Sequence, residues 1–320
     1  MRWLALACVL AGCTTFEDPT IVLDLRVLAM RAEPPEQVID VDLAEPPSPT
    51  DVLAQLAPTE VCALVADPGQ RRSLLWKMTM CLPGDDDRCD PAHPQVELGS
   101  GVLGDPDEAM AGQELCVTVF PDQRMLQVLL AALDADILRG LGGLDVVVEL
   151  QIGGEAADRA LDVFGAKTVR VSPRIPDARS ANHNPTIELL DASVAGAGLV
   201  VAPCRCAQCS AMATVGAGAV VTLYPVEPET VREDYVVPTL DGQVAMLTET
   251  MTYQWLAGRG SFSDATTGGG HDLLGNQALL GSEWRAPRGL HEDTLVPIWM
   301  IQRDERLGVS WYETCIRVTP

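Results

Sequence analysis

Lysine is nearly missing from this 320-residue chain: of 22 basic residues only Lys77 and Lys167 are lysines, and 45 acids leave a net charge of −23. A surface so acidic repels nucleic acid and anionic lipid headgroups, which excludes functions that depend on a basic face. The preference for arginine hints at a GC-rich genome and carries no chemistry. Histidine is scarce as well. His93, His183, His271 and His291 lie far apart in polar or glycine-rich stretches. With no His-x-x-x-His pair and no Gly-x-Ser-x-Gly turn, they read as surface residues. Ser282 in LLGSEW is no nucleophile elbow, and Gly268 to Gly270, lacking a Walker lysine and a βαβ context, reads as a flexible loop. Beyond residue 12 no apolar run approaches a membrane-spanning length. No pair of side chains stands at catalytic spacing, so neither a catalytic residue nor a cofactor is expected.

What the chain does have begins at its start, MRWLALACVLAGCTT. Arg2, the apolar stretch from Trp3 to Ala11 and the small residues before a cut have the form of a secretory signal, too short to span a bilayer. Leu10, Ala11, Gly12 and Cys13 resemble the lipobox of bacterial lipoproteins. The resemblance implies that residues 1–12 are removed, taking Cys8 with them, and that Cys13 becomes a diacylated first residue held at a membrane by its fatty chains. An ordinary signal peptide with an incidental cysteine is the alternative. Residues 13–19 then form a tether, and the loss of Arg2 takes −23 to −24, so membrane contact is expected through lipid such as palmitate. Thr14 after the anchor, instead of an aspartate, points by analogy with other lipoproteins to the outer membrane.

Eight cysteines remain: Cys62, Cys81, Cys89 and Cys116 before residue 120, and Cys204, Cys206, Cys209 and Cys315 after residue 200. An even number in an exported chain argues for disulfides, and the division lets each half close its own. In the first half Cys62 with Cys116 and Cys81 with Cys89 is the preferred pairing of the three that are open, because the second closes a short acidic loop. Cys62, Trp76 and Cys116 also imitate the Cys…Trp…Cys spacing of immunoglobulin domains. That loop, CLPGDDDRCDP, gathers Asp85, Asp86, Asp87 and Asp90; they read as calcium ligands or as a solvated turn, and the missing ligand alternation favours the turn. In CRCAQCSAM, Cys204, Cys206 and Cys209 together with Cys315 offer a thiolate site for zinc or copper, or two disulfides that staple the loop to the last strand; an oxidising compartment favours the bridges. A redox Cys206-x-x-Cys209 motif would need a helix start in a parallel fold, which the surroundings do not suggest.

The chain reads as mainly β, two tandem immunoglobulin-like β-sandwiches at residues 20–173 and 185–320, joined by the proline-rich polar linker 174–184. Alternation of Ile21, Leu23, Leu25 and Val27 predicts a first strand ended by Pro34 and Pro35. EVCALVAD, SLLWKMTMC, GQELCVTVF, LDVVVELQI and AKTVRVS follow, then GAVVTLYPV, TMTYQWLA, NQALLGSEW, LVPIWMIQRD and GVSWYETCIRVT. Trp76 and Trp255 are expected to pack between sheets. Leu126, Leu129, Leu130, Leu133, Ile137, Leu138 and Leu141 recur at helical spacing, which predicts one helix within Pro121 to Gly143 covering a sandwich end. The stretches YQWLAGRGSFSD, EWRAP and PIWMIQRDERLGVSWYETCIRV, from Tyr253 to Val318, resemble the bacterial immunoglobulin-like or PKD-like modules of surface and periplasmic proteins. That resemblance implies a fold and an extracytoplasmic setting, not a reaction.

The expected role is therefore a non-catalytic binding, adhesion or envelope-assembly module, lipid-anchored in the cell envelope, with an envelope protein or polysaccharide as partner and no nucleic acid. Two rivals belong to other classes. A metal-handling protein would use Cys204, Cys206, Cys209 and Cys315, and a secreted hydrolase would need folding to bring His271 or His291 against a carboxylate or serine.

Overall fold

The computed structural model describes residues 18–42, 48–68, 72–84, 88–103, 112–154, 163–210, 212–239, 243–271 and 275–320. Cys13 and the 1–12 leader lie outside the described residues, as do Asp85, Asp86 and Asp87. The chain is mainly β and folds into β-sandwiches. In the first, a three-stranded sheet in the order β1 (Arg26–Glu33), β3 (Thr59–Ala66), β6 (Gln113–Val119) faces a five-stranded one. That second sheet runs β2 (Glu36–Ile39), β8 (Val163–Pro173), β7 (Leu144–Gly154), β4 (Leu74–Cys81), β5 (Val96–Leu103), antiparallel except for β2 with β8.

After residue 189 one sheet runs β10 (Ala197–Val200), β9 (Leu190–Val194), β12 (Val220–Pro225), β18 (Ser282–Arg285), β16 (Ser261–Phe262). Its partner runs β11 (Ala213–Gly216), β20 (Val309–Thr319), β19 (Thr294–Arg303), β15 (Thr252–Ala257), β17 (Thr266–Gly268). A two-stranded ribbon, β13 (Asp234–Pro238) with β14 (Val244–Thr248), stands beside them.

Successive residues of a strand face opposite ways, so one strand can serve two cores. Val61, Ala63 and Val65 of β3 join the core of the first sandwich, while Leu64 and Ala66 point away from it. The latter meet Leu256 of β15, Trp299 and Ile301 of β19 and Val309 of β20 in a third apolar layer. Ile298 and Met300, on the other face of β19, fill the core of the second sandwich with Trp255 and Trp284. Four sheets therefore stack with three apolar layers between them. Burial on both faces explains why EVCALVAD and LVPIWMIQRD are continuous apolar runs instead of alternating ones.

Several expectations need correction. The first strand starts at Arg26, not at Ile21, and Leu23 is exposed. A register shift between Val27 and Ala29 changes which residues face inward, so Met30 and Ala32 carry the packing. The helix spans only Gln123–Ala135 (α2), capped by Asp122 and buried through Met125, Leu126, Val128, Leu129 and Ala132. It stops at Asp136 because that carboxylate accepts hydrogen bonds from the Leu138 and Gly140 N–H groups and turns the chain, which leaves Ile137, Leu138 and Leu141 in water. A short helix, α1 (Pro49–Gln55), was not expected, although Ser48-Pro-Thr-Asp51 is a capping box with proline in the first turn. Trp255 is fully buried, and Trp76, half-buried, packs against the first core and lies over Gly99 and Gly101 of β5, where a Cβ on Gly99 would sit 3.2 Å from its ring. Residues 174–184 hold no strand or helix, yet they do not hang free. Asn182 is fully buried, and Asn184 bridges Ala32 O (2.7 Å) to the Val309 N–H (2.9 Å).

Candidate functional site

The eight cysteines form four bridges: Cys62–Cys116, Cys81–Cys89, Cys204–Cys209 and Cys206–Cys315. Cys62 and Cys116 are direct cross-strand partners on β3 and β6, 4.0 Å apart at Cα. Their bridge lies within one sheet, whereas the immunoglobulin bridge joins two sheets, so the Cys…Trp…Cys likeness is one of spacing only. Cys206–Cys315 ties the 204–209 loop to β20. With all four sulfurs of that cluster bonded to one another, it has no thiolate to offer zinc or copper in this oxidised state. Asp90, from the acidic loop, accepts from the Ala92 N–H and lies against the His93 ring, both at 2.8 Å, and these two contacts hold its carboxyl below the usual range.

A polar clasp closes one end of the third apolar layer. The hairpin loop between β19 and β20 is tied by Asp304, whose carboxylate accepts from the Arg306 and Gly308 N–H groups at 2.7 Å and from the Asn182 amide at 3.1 Å. A Cβ on Gly308 would come within 1.9 Å of that carboxylate, so only glycine fits. From this loop Arg306 reaches Glu36 on β2 (3.0 Å), Glu249 (3.3 Å) and Glu233 (3.7 Å), and its guanidinium stacks 4.7 Å over the Tyr235 ring. Glu36 also accepts from Arg179 (2.8 Å) and Ser172 (2.6 Å). Burial pushes the Glu36 carboxyl up, but Ser172, Arg179 and Arg306 outweigh it and the net shift is downward. Lys167 of β8 donates to Leu307 O, and burial lowers its ammonium to about 8.

A cleft of about 530 Å³ opens next to the clasp, walled in part by Tyr224, Glu227, Arg232, Thr250, His271 and Gln277. Glu227 is gripped bidentately by Arg232 (2.7 and 3.0 Å) and receives the Tyr253 hydroxyl. Burial raises the Glu227 carboxyl, but those hydrogen bonds win and hold it below the ordinary value. Glu249, at the cleft's inner edge, goes the other way: burial lifts it to about 7 against the Glu233 N–H and Arg306, with Asp304 and Glu233 adding repulsion. His271 lines the cleft but makes no hydrogen bond to another described residue, and His291 is exposed. Ser282 is buried and donates to Asp264 O. Sequence reasoning named none of Glu36, Glu227, Arg232, Glu249 or Arg306.

No protein-family model matches the chain, and no curated protein matches it in sequence. Among solved structures it is similar to the red sea bream transglutaminase, at 9% identity and a TM-score of 0.25 over 93% of this chain. It is similar to dimeric latent PorU from Porphyromonas gingivalis, at 9% and 0.20 over 92%. The BSP domain of a biofilm-associated protein follows at 8% and 0.26 over 97%. The chain spans 32%, 24% and 61% of the lengths of those three. Overlaps this slight do not extend to chemistry.

Proposed function

We propose that the chain is an exported bacterial lipoprotein, anchored through Cys13 and sorted to the outer membrane, whose stapled sandwiches serve as a non-catalytic binding or assembly module of the cell envelope. The observation that carries this is the pairing of all eight cysteines beyond Cys13, a state that persists in oxidising compartments and is rare in the cytosol. The cleft supports the binding role. Glu227 is engaged by Arg232 and Tyr253, and Glu249 by the Glu233 N–H and Arg306, so both carboxyls hold the fold in place. Thr250 donates to Glu305 (2.5 Å), which leaves His271 and Gln277 to meet a polar partner, an envelope protein or a polysaccharide.

The test is metabolic labelling with a palmitate analogue in a host that processes lipoproteins, read together with thiol titration of the unreduced protein. Label on the wild-type chain, none on Cys13→Ser, and no free thiols are expected. Unlabelled protein recovered from the cytosol with its thiols reduced would overturn the proposal.

A further inference from the structure

At the open end of the first sandwich lies a cavity of about 260 Å³, walled by Leu126, Leu129 and Leu133 of α2, Val52 of α1, Ile39 of β2 and Val171 of β8. Protein interiors are packed at crystal density and tolerate few voids larger than a water molecule. A dry apolar cavity of about 150 Å³ in another protein already takes up benzene. This one is larger and open on one side, where Leu130 and Leu141 of its lining are 42% and 48% exposed. Large apolar side chains gathered in water around an apolar hollow mark a place where something apolar docks.

The chemistry of the rim says what kind of molecule fits. Arg139 is the one charged side chain among the residues lining this cavity. It sits at φ +52°, a left-handed conformation that a residue with a Cβ adopts only where its surroundings impose it. Here Asp136 imposes it: its carboxylate accepts from the N–H groups on either side of Arg139, those of Leu138 (3.2 Å) and Gly140 (2.6 Å), and its carbonyl accepts the Arg139 N–H (3.1 Å). The turn thus stops the helix, displays the leucines and sets a cation at the mouth. The guanidinium has an ion pair with Asp134 at 3.4 Å, but both side chains are mostly exposed, so water competes with that contact. Nearby Arg170 differs, being held bidentately by Asp145 at 2.7 and 2.8 Å.

We propose that this cavity binds a free straight-chain fatty carboxylate, the hydrocarbon lying between α2 and the sheet and the carboxylate meeting Arg139. On a chain of charge −23 the overall field repels anions, so selection for the charged head depends on this local guanidinium. The site lies in the first sandwich, away from the cleft, and does not rest on the export reading, because binding is measured on purified chain from any compartment.

The experiment titrates the full chain carrying Cys13→Ser, purified without detergent, with cis-parinaric acid, a straight-chain polyene carboxylate that fluoresces when shielded from water. Saturable enhancement at one site per chain is expected, lost in Leu133→Trp, which fills the hollow. Arg139→Gln should bind parinarate ~10-fold more weakly, the share of one charge-assisted hydrogen bond, and hexadecanol as well as the parent does. Should Leu133→Trp fail to fold by circular dichroism, native mass spectrometry of palmitate on the parent and on Arg139→Gln decides alone. No saturable enhancement, or equal affinity in the parent and Leu133→Trp, overturns the proposal. So does capture of the chain by phosphatidylcholine vesicles without competition from parinarate, which would make the leucines a membrane-docking face. Binding that vanishes in the acylated wild type would assign the cavity to the protein's own lipid and overturn a free ligand.

Discussion

Replacing Arg306 by methionine removes a cation that two buried carboxylates share. Glu36 and Glu249 are each 3% exposed, and Arg306 stands 3.0 Å from the first and 3.3 Å from the second. Stripping one partner from a buried ion pair costs about 3–5 kcal/mol, because the charge left behind is already out of water. Glu36 keeps Arg179 and Ser172, so the lower figure, ~3 kcal/mol, applies where Glu249 is ionised. Glu249 makes the loss depend on pH. Its carboxyl is raised by burial from 4.5 to about 7, so the folded chain holds that proton more tightly than the unfolded chain. The stability this group contributes is full below pH 4.5 and is lost as pH rises to about 7. At pH 5.5 the carboxyl is protonated and needs no guanidinium, so the penalty of Arg306→Met shrinks to ~2 kcal/mol or less, while at pH 8 it is complete. Urea unfolding of the unreduced chain, followed by tryptophan fluorescence at both pH values, reads the difference. A loss below ~1 kcal/mol at pH 8 would place the clasp among exposed ion pairs. Equal losses at the two pH values would refute the role given to Glu249.

Two further outcomes follow from the bridges and from a second raised carboxyl. Converting Cys206 and Cys315 to alanine opens a loop of sequence separation 109 and should cost ~5 kcal/mol, against ~2.5 kcal/mol for Cys81 and Cys89 at separation 8, by loop-closure entropy and read as urea midpoints. Burial lifts Glu313 from 4.5 to about 7, offset by Arg205 and the Trp299 indole N–H, so Glu313→Gln should stabilise more at pH 8 than at pH 5.5, by ~1–2 kcal/mol, measured as melting temperature at the two pH values.

Legibility in the sequence followed the range of the interactions. β3, β4, β6, β7, β8, β12, β15, β19 and β20 announce themselves because their apolar runs are local. Short strands such as β10, β11, β16 and β17 do not, since two to four residues carry no period. The helix was overextended to Leu141 because leucine spacing persists past Asp136 while a side-chain hydrogen bond, invisible to periodicity, ends it. The capping box at Ser48 was local and readable, and it was missed because the seven residues of α1 are too few to show a helical period, with only Val52 and Leu53 packed against the core. Of the candidate site, nothing in Glu36, Arg179, Glu249 and Arg306 marks them as partners; they are separated by up to 270 positions and meet only through folding.

The tandem arrangement turns on what lies between the halves. A polar linker such as 174–184 suggests two bodies free to move, but the third layer buries Leu64, Leu256, Trp299 and Ile301 to 1% exposure or less. Apolar contact alone has no direction and would let two flat faces slide. Directional groups flank it. At one end Arg306 and Asn182 tie the β19–β20 loop to Glu36 and the linker. Elsewhere Arg205 lies between Glu114 of β6 and Glu313 of β20, and Arg31 of β1, paired to Glu114, stacks 4.6 Å over Trp311. Burial supplies the adhesion and these charges supply the register, so the cavity of the first sandwich and the cleft of the second sit on one frame. For the proposed binding module, such a frame fixes where one partner is held relative to another.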